Sequence, residues 1–281
     1  MDFSHITLPF PLSRWSLRWS APLQPWLPRT LSWVGLGLML PGILNPTPVQ
    51  ARTADTAPAA VTQDLAALDR AASAENLDEV LQYYDRNFLH GDGWTRSDIK
   101  QSLESLWERF DGLRYTTELL SWDELNGQVI TETRTQIQGT EVTGKRTLAL
   151  DSELHLKQYW SGNKIVREEV LAEQSLLSSG DAPPTLVVNL PPTVQVNSSF
   201  NFDVIVMEPL GDDLLLGGIL DEPVREETFI DPSQMDLEPI LAGGLFKVGR
   251  APAVRDTRWI SAVIVRKGGM TFVTQRLQVV E

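Results

Sequence analysis

Near Leu113 the spacing of apolar side chains changes from 3.6 residues to two, and this limits the chain to helices first and a sheet after. Upstream, Leu65, Leu68 and Ala72 share one helical face. Asn76, with Glu79 three residues on, reads as a cap starting a second helix that carries Leu77, Val80, Leu81 and Tyr84. Thr95 with Asp98 caps a third, whose stripe is Ile99, Leu103, Leu106, Trp107 and Phe110, ended by Asp111-Gly112. From Leu113 strands are predicted over 113–122, 128–138, 145–159 and 164–173, joined at Glu124–Gly127, Gly139–Gly144 and Ser161–Asn163. Helices followed by an antiparallel meander is an α+β pattern with the helices on one face of the sheet.

"LLSSGDAPP" (Leu176–Pro184) reads as a linker, and nothing after it has a helical period. Strand-like runs fall at 185–190, 193–196, 199–207, 214–220, 258–266 and 270–280, with a hairpin turn at Lys267-Gly268-Gly269. The expected fold is therefore an α+β cone-like domain followed by an all-β, immunoglobulin-like sandwich. Residues 221–257 show no regular pattern.

The expected division is a signal peptide over 1–51, a linker over 52–60, the first domain over 61–177, a linker over 178–184 and the β-sandwich over 185–281. The leader assignment rests on the apolar run Leu31–Leu44, preceded by Arg14, Arg18 and Arg29 and followed by Val49 and Ala51 in cleavage-site spacing. A bilayer span needs about 20 apolar residues, so this run points to export, to a periplasm, a thylakoid lumen or the exterior. The alternative is an uncleaved leader that anchors the chain in a membrane.

The formal net charge is -13, and the arginines of the leader leave the rest more acidic still. Such a body is repelled by phosphate backbones, so a nucleic-acid partner is excluded. With no cysteine, disulfides, thiolate metal sites and cysteine nucleophiles are excluded as well. No phosphate loop follows the Gly217-Gly218 or Gly243-Gly244 pairs, which read as bends or close approaches. The acidic run Asp221–Glu238 lacks EF-hand spacing and reads as a solvated loop. No metal and no cofactor are expected.

"DLAALDRAASAENLDEVLQYYDRNFLHGDG", "TRSDIKQSLESLWERF" and the meander ending "GNKIVREEVLAEQS" together resemble the nuclear transport factor 2-like superfamily, with its ketosteroid isomerase-like and polyketide cyclase-like domains. The resemblance covers Val61 to Leu177. It implies helices and a curved sheet around a small-molecule cavity and, in isomerase-like members, a carboxylate base with paired donors. Leader and appended β-rich part also look like those of secreted or lumenal cyanobacterial proteins.

Candidate chemistry is sparse. Asp151, Glu153 and His155 alternate with Leu148, Leu150, Leu154 and Leu156, so the leucines take the core and the charged set takes the outer face. His90 and Asp92, in "FLHGDGW", are the catalytic candidates, because a loop imidazole beside a carboxylate can move protons near neutrality. The competing reading is a Gly-Asp-Gly turn. Tyr83, Trp94, Trp107 and Trp122 are the candidate ligand-binding residues, against plain packing. Without an assignable base and donor pair, the expected function is an exported, non-enzymatic binding or scaffold protein. Its partner is a protein or a small apolar ligand, and the convex sheet face offers a homodimer surface. The alternative is an isomerase- or cyclase-type enzyme with an acid/base pocket.

Overall fold

In the computed structural model residues 51–281 are described, except Lys145, Asp212, Asp231, Pro232, Leu241 and Ala242. The expected leader, but for Ala51, lies outside the described residues. A two-residue strand β1 (Arg52–Thr53) and a 3-10 turn lead into α1 (Ala59–Ser73), α2 (Leu77–Gln82), β2 (Tyr84–His90) and α3 (Arg96–Arg109). The meander comes next as β3 (Asp111–Leu125), β4 (Gln128–Thr143), β5 (Arg146–Ser161) and β6 (Lys164–Gly180). Both helix caps are local chemistry. The Asn76 side chain accepts from the Glu79 N–H, and Thr95 and Asp98 form a reciprocal capping box.

The remainder holds β7 (Leu186–Asn189), β8 (Thr193–Gln195), β9 (Ser199–Val206), β10 (Leu215–Pro223) and α4 (Glu226–Ile230), then β11 (Glu238–Ile240), β12 (Gly244–Arg250), β13 (Asp256–Arg266) and β14 (Gly269–Val280). The stretch without a sequence pattern thus contains α4, β11 and β12. Its acidic run is not all solvated: Glu222 is buried and accepts from the Ser233 N–H at 2.8 Å.

The expected pair of folds, α+β cone and immunoglobulin-like sandwich, is corrected by the strand pairing. Of the described residues 58% are strand and 18% helix, and most strands belong to one sheet. Its order is β1-β3-β4-β5-β6-β14-β13-β10-β11, with β2 added parallel on β6 and β8 parallel on β14. The connection that sequence could not show is β6 with β14, paired antiparallel from Gly269↔Gly180 to Gln275↔Gln174. Residues 178–180 of the expected linker are therefore ladder. Gly180 lies at φ 103°, where a Cβ would collide with the Gly268 carbonyl oxygen, so only glycine lets the two strands approach here.

A separate three-stranded sheet, β12-β9-β7, packs on the C-terminal strands of the large one. Alternate residues Phe200, Phe202, Val204 and Val206 of β9 meet Ile260, Ala262, Ile264, Val273 and Leu277 in the largest core cluster. At about 25 cal/mol per Å² of apolar surface removed from water, this cluster dominates the stability of the C-terminal half. The helices cover the opposite end of the large sheet: Val61 and Leu65 of α1 pack with Phe88, Trp160 and Ile165, and Ala71 and Ala72 with Val80.

Candidate functional site

Between α1, α3 and the inner face of the sheet lies a cavity of about 270 Å³. Leu65, Leu68 and Ala72 of α1 and Ile99, Leu103 and Leu106 of α3 line one side; Ile137, Leu150, Leu154 and Leu156 come from the sheet. The rest of its wall is polar and aromatic, and β6 explains why. Strict alternation would send residues of odd and even number to opposite faces. On β6 the register against β5 slips twice: Tyr159↔Arg167 gives way to Trp160↔Ile165, and Leu156↔Val170 to His155↔Ala172. Each slip leaves one extra residue, Val166 and Leu171, and reverses the facing of the residues beyond it. Ile165, Glu168, Val170, Glu173 and Ser175 accordingly share the inner side.

β6 also changes partner within this stretch. Its edge pairs with β2 as far as His90↔Glu168 and with β14 from Gln174 onward. Two cross-strand rows result. In the first, Glu168 stands between its register partners Gln158 and His90; Gln158 Nε2 donates to Glu168 Oε2 at 2.6 Å, and His90 Nε2 lies 3.9 Å from Glu168 Oε1. In the second, Trp259 and Arg276 are register partners on β13 and β14, and both reach Glu173. Trp259 Nε1 donates to Glu173 Oε2 at 2.9 Å, and Arg276 Nη1 is 3.6 Å from the same oxygen. Asp92, in the turn after β2, links the rows: its Oδ2 accepts from Arg276 Nη2 and lies 3.4 Å from His90 Nδ1.

Burial sets the electrostatics. It pushes the Glu168 carboxyl above the usual carboxylate range, opposed by the His90 charge and the Gln158 hydrogen bond. It raises Glu173 too, opposed by Arg276 and the Trp259 hydrogen bond. Both carboxyls are thereby moved toward pH values at which they can hold or release a proton. The Asp92 N–H donates to His90 Nδ1 at 3.2 Å, which places the proton of the neutral ring on Nε2, facing Glu168. Trp94 stacks on His90, with centroids 5.5 Å apart, and Phe229 of α4 meets both Trp94 and Trp259 edge-on or tilted. Burial also raises Tyr84, which lines the cavity, well above the ordinary phenol value, and moves Tyr115 up to about 12, so both phenols stay neutral.

Among the described residues, four buried polar atoms on cavity-lining side chains have no hydrogen-bond partner: Trp94 Nε1, Arg276 Nε, Ser102 Oγ and Gln158 Oε1. Among the described residues no group of three or more His, Asp or Glu is placed to hold a metal ion. Asp92 is instead engaged by a guanidinium.

Of the residues singled out from sequence, His90, Asp92 and Trp94 line the cavity. Three others do not. Tyr83 packs outside it on the α1 side, while its neighbour Tyr84 turns inward as β2 begins. Trp107 is spent on packing and donates to the Tyr115 hydroxyl at 3.0 Å. Trp122 is buried against β1 and the 3-10 turn after it, donating to Thr56 Oγ1 at 3.0 Å beneath the Arg52 guanidinium. Asp151 and Glu153 are exposed on the outer face, bonded to Gln136 and facing Arg134, and His155 is on that side as well. Glu168, Glu173, Trp259 and Arg276 were not found from sequence. The adjacent acids of "VREEVLAE" carried a signal, but the bulges that turn two of them inward have no local signature.

A family model described as a domain of unknown function (DUF8623) matches residues 181–280. No curated protein matches the chain in sequence. Among solved structures, the chain is similar to a scytalone dehydratase-like protein from Novosphingobium aromaticivorans, at 12% identity and a TM-score of 0.34, over 40% of this chain and 80% of that one. It is similar to Bd1075 of Bdellovibrio bacteriovorus at 16% identity and a TM-score of 0.29, over 39% of each chain. A third is a protein of ketosteroid isomerase-like fold from Catenulispora acidiphila, in complex with trimethylamine, at 14% identity and a TM-score of 0.29, over 41% of this chain and 85% of that one.

Proposed function

We propose that this chain binds a small, mainly apolar molecule in the cavity and transfers a proton on it, with Glu168 as the group that takes or gives the proton. The observation that carries this reading is the buried Glu168, held between Gln158 and the imidazole of His90 in a cavity whose α1, α3 and β5 sides are largely leucine. A carboxyl raised by burial, with an imidazole that can share its proton, is what proton abstraction or return near neutral pH requires. The cavity volume of about 270 Å³ lies just below the usual range of about 300–1,000 Å³, which fits a compact ligand.

Deuterium uptake from D2O into carbon acids of several classes (ketones, nitroalkanes, thioesters) tests the reading. Wild type should exchange at least one class above buffer, and Glu168→Gln should lower that rate by about 10²-fold or more. Rates equal in the two proteins across the panel would overturn it.

A second reading is a binding protein without chemistry. It is supported by Arg276, which already neutralises Asp92 and lies beside Glu173, as a purely structural ion network would. Ligands that bind with unchanged affinity in Glu168→Gln and undergo no exchange would favour it. Export stands as a separate proposal resting on the leader pattern, and N-terminal sequencing of the mature protein tests it.

A further inference from the structure

We infer that this chain pairs with a second copy of itself through the open edge of β12, around a two-fold axis at Val248. In the three-stranded sheet β12 is bonded to β9 alone, so its other edge is free. The ladder shows which backbone groups lie on that edge. The Val206 N–H donates to the Gly243 carbonyl at 2.9 Å, and the Ala251 N–H to the Ser198 carbonyl at 2.8 Å. Hydrogen-bonded pairs alternate along an antiparallel ladder, so between these ends Leu245, Lys247 and Gly249 turn their N–H and C=O toward β9. Gly244, Phe246, Val248 and Arg250 turn theirs outward. Phe246 and Val248 also have side chains facing solvent, the two residues being 60% and 70% exposed.

Other strand edges among the described residues are capped, broken or short. On β3 the Tyr115 and Thr117 N–H groups donate to Ser73 Oγ and Asp69 Oδ2 of α1. β2 has a shifted register and turns its Asn87 N–H to Asp85 Oδ1. β11 is three residues long and holds Pro239, and β7 is four residues long, with Pro191-Pro192 just beyond it. β12 offers seven residues without proline, the kind of edge that another strand joins.

Charge indicates what joins it. Arg250 and Asp203 lie on the outer face of this sheet, opposite Phe200, Phe202 and Val204, and neither has an ion-pair partner within the chain. An axis at Val248 sets Val248 against Val248, and Phe246 against Arg250 of the second copy, each pair exchanging both N–H···O bonds. Arg250 then crosses the Phe246 ring toward Asp203, the register partner of Phe246. Lys247 faces Gly249. An axis at Lys247 would oppose two lysines, and one at Phe246 would carry Arg250 past the start of the facing strand. The outer face of the meander, the dimer surface expected from sequence, already pairs its Arg134 with Glu118 and Glu153.

Sedimentation equilibrium of wild type should give the mass of a dimer that dissociates on dilution. Val248→Pro deletes an outward N–H and no bond to β9, so it should be monomeric with an unchanged melting temperature. Arg250→Glu should weaken the dimer about tenfold or more, since the axis counts each change twice, and adding Asp203→Arg should restore most of the loss. Arg250 is exposed, so this pair of variants decides the matter even where the proline disturbs the fold. A wild type that stays monomeric at sub-millimolar concentration, an assembly larger than a dimer, or a dimer unmoved by the charge reversal would overturn the inference.

Discussion

Glu168 and Glu173 stand five positions apart on one strand and face the same cavity, which alternation alone forbids. The extra residue at Leu171 makes it so, and the outcome is one carboxyl beside His90 and another beside Arg276.

Deleting Leu171 should therefore turn Glu173 to the outer face or drag the C-terminal part of β6 out of register with β14. Either way Arg276 loses a partner and Leu177 loses its place in the core. The expected loss is at least about 3 kcal/mol in urea unfolding. Wild-type stability in the deletion variant would show that the bulge does not set the facing.

Glu168 links stability to pH. Its folded carboxyl holds a proton more firmly than the ordinary value of 4.5, so between 4.5 and the raised value the folded chain binds more protons than the unfolded one. Wild type should lose stability over that window as pH rises, whereas Glu168→Gln keeps only the smaller loss due to Glu173. The difference in melting temperature, variant minus wild type, should grow from pH 4.5 upward. A difference independent of pH contradicts the raised carboxyl.

Arg276→Met should cost about 3–5 kcal/mol, because it strands Asp92 and Glu173 as buried acids without a counter-charge. Adding Glu173→Gln to Arg276→Met should restore part of the loss, a coupling that chemical denaturation of the single and double variants measures. Strictly additive losses would mean the two side chains do not act as a pair.

Residues 51–281 fall within one compact unit. Expressed alone, residues 181–281 would leave β14 as an unpaired edge where β6 belongs, with Val273 and Leu277 part of the core just behind it. This fragment should aggregate or show broadened NMR spectra, and co-expression with residues 51–180 should rescue it. A monomeric fragment with sharp, dispersed resonances would show that the β6–β14 ladder is dispensable.

Much of this architecture was open to a reader of the sequence. The caps at Asn76 and Thr95, the four long strands of the meander and the turn at Lys267–Gly269 arise from contacts within a few residues. His90, Asp92 and Trp94, grouped by one turn, do line the cavity. The features that could not be read are non-local. The bulges at Val166 and Leu171 are expressed only as register against β5, and Arg276 enters a site 184 residues from Asp92. The end of β6 was hidden for a related reason: "SSGDAPP" looks like a linker, yet its first residues pair with β14.

By itself, then, the sequence determined the three N-terminal helices and their caps, the long strands of the meander and the closing hairpin, and which face of β5 turns inward, since propensity, capping and alternation act over a few residues. Tertiary structure alone decided that one sheet runs through both halves, that β6 exchanges β2 for β14 at its midpoint, and that two carboxyls, an imidazole and a guanidinium meet there. Pairing between distant strands depends on the summed burial and hydrogen bonding of whole ladders, and no short stretch of chain encodes that sum.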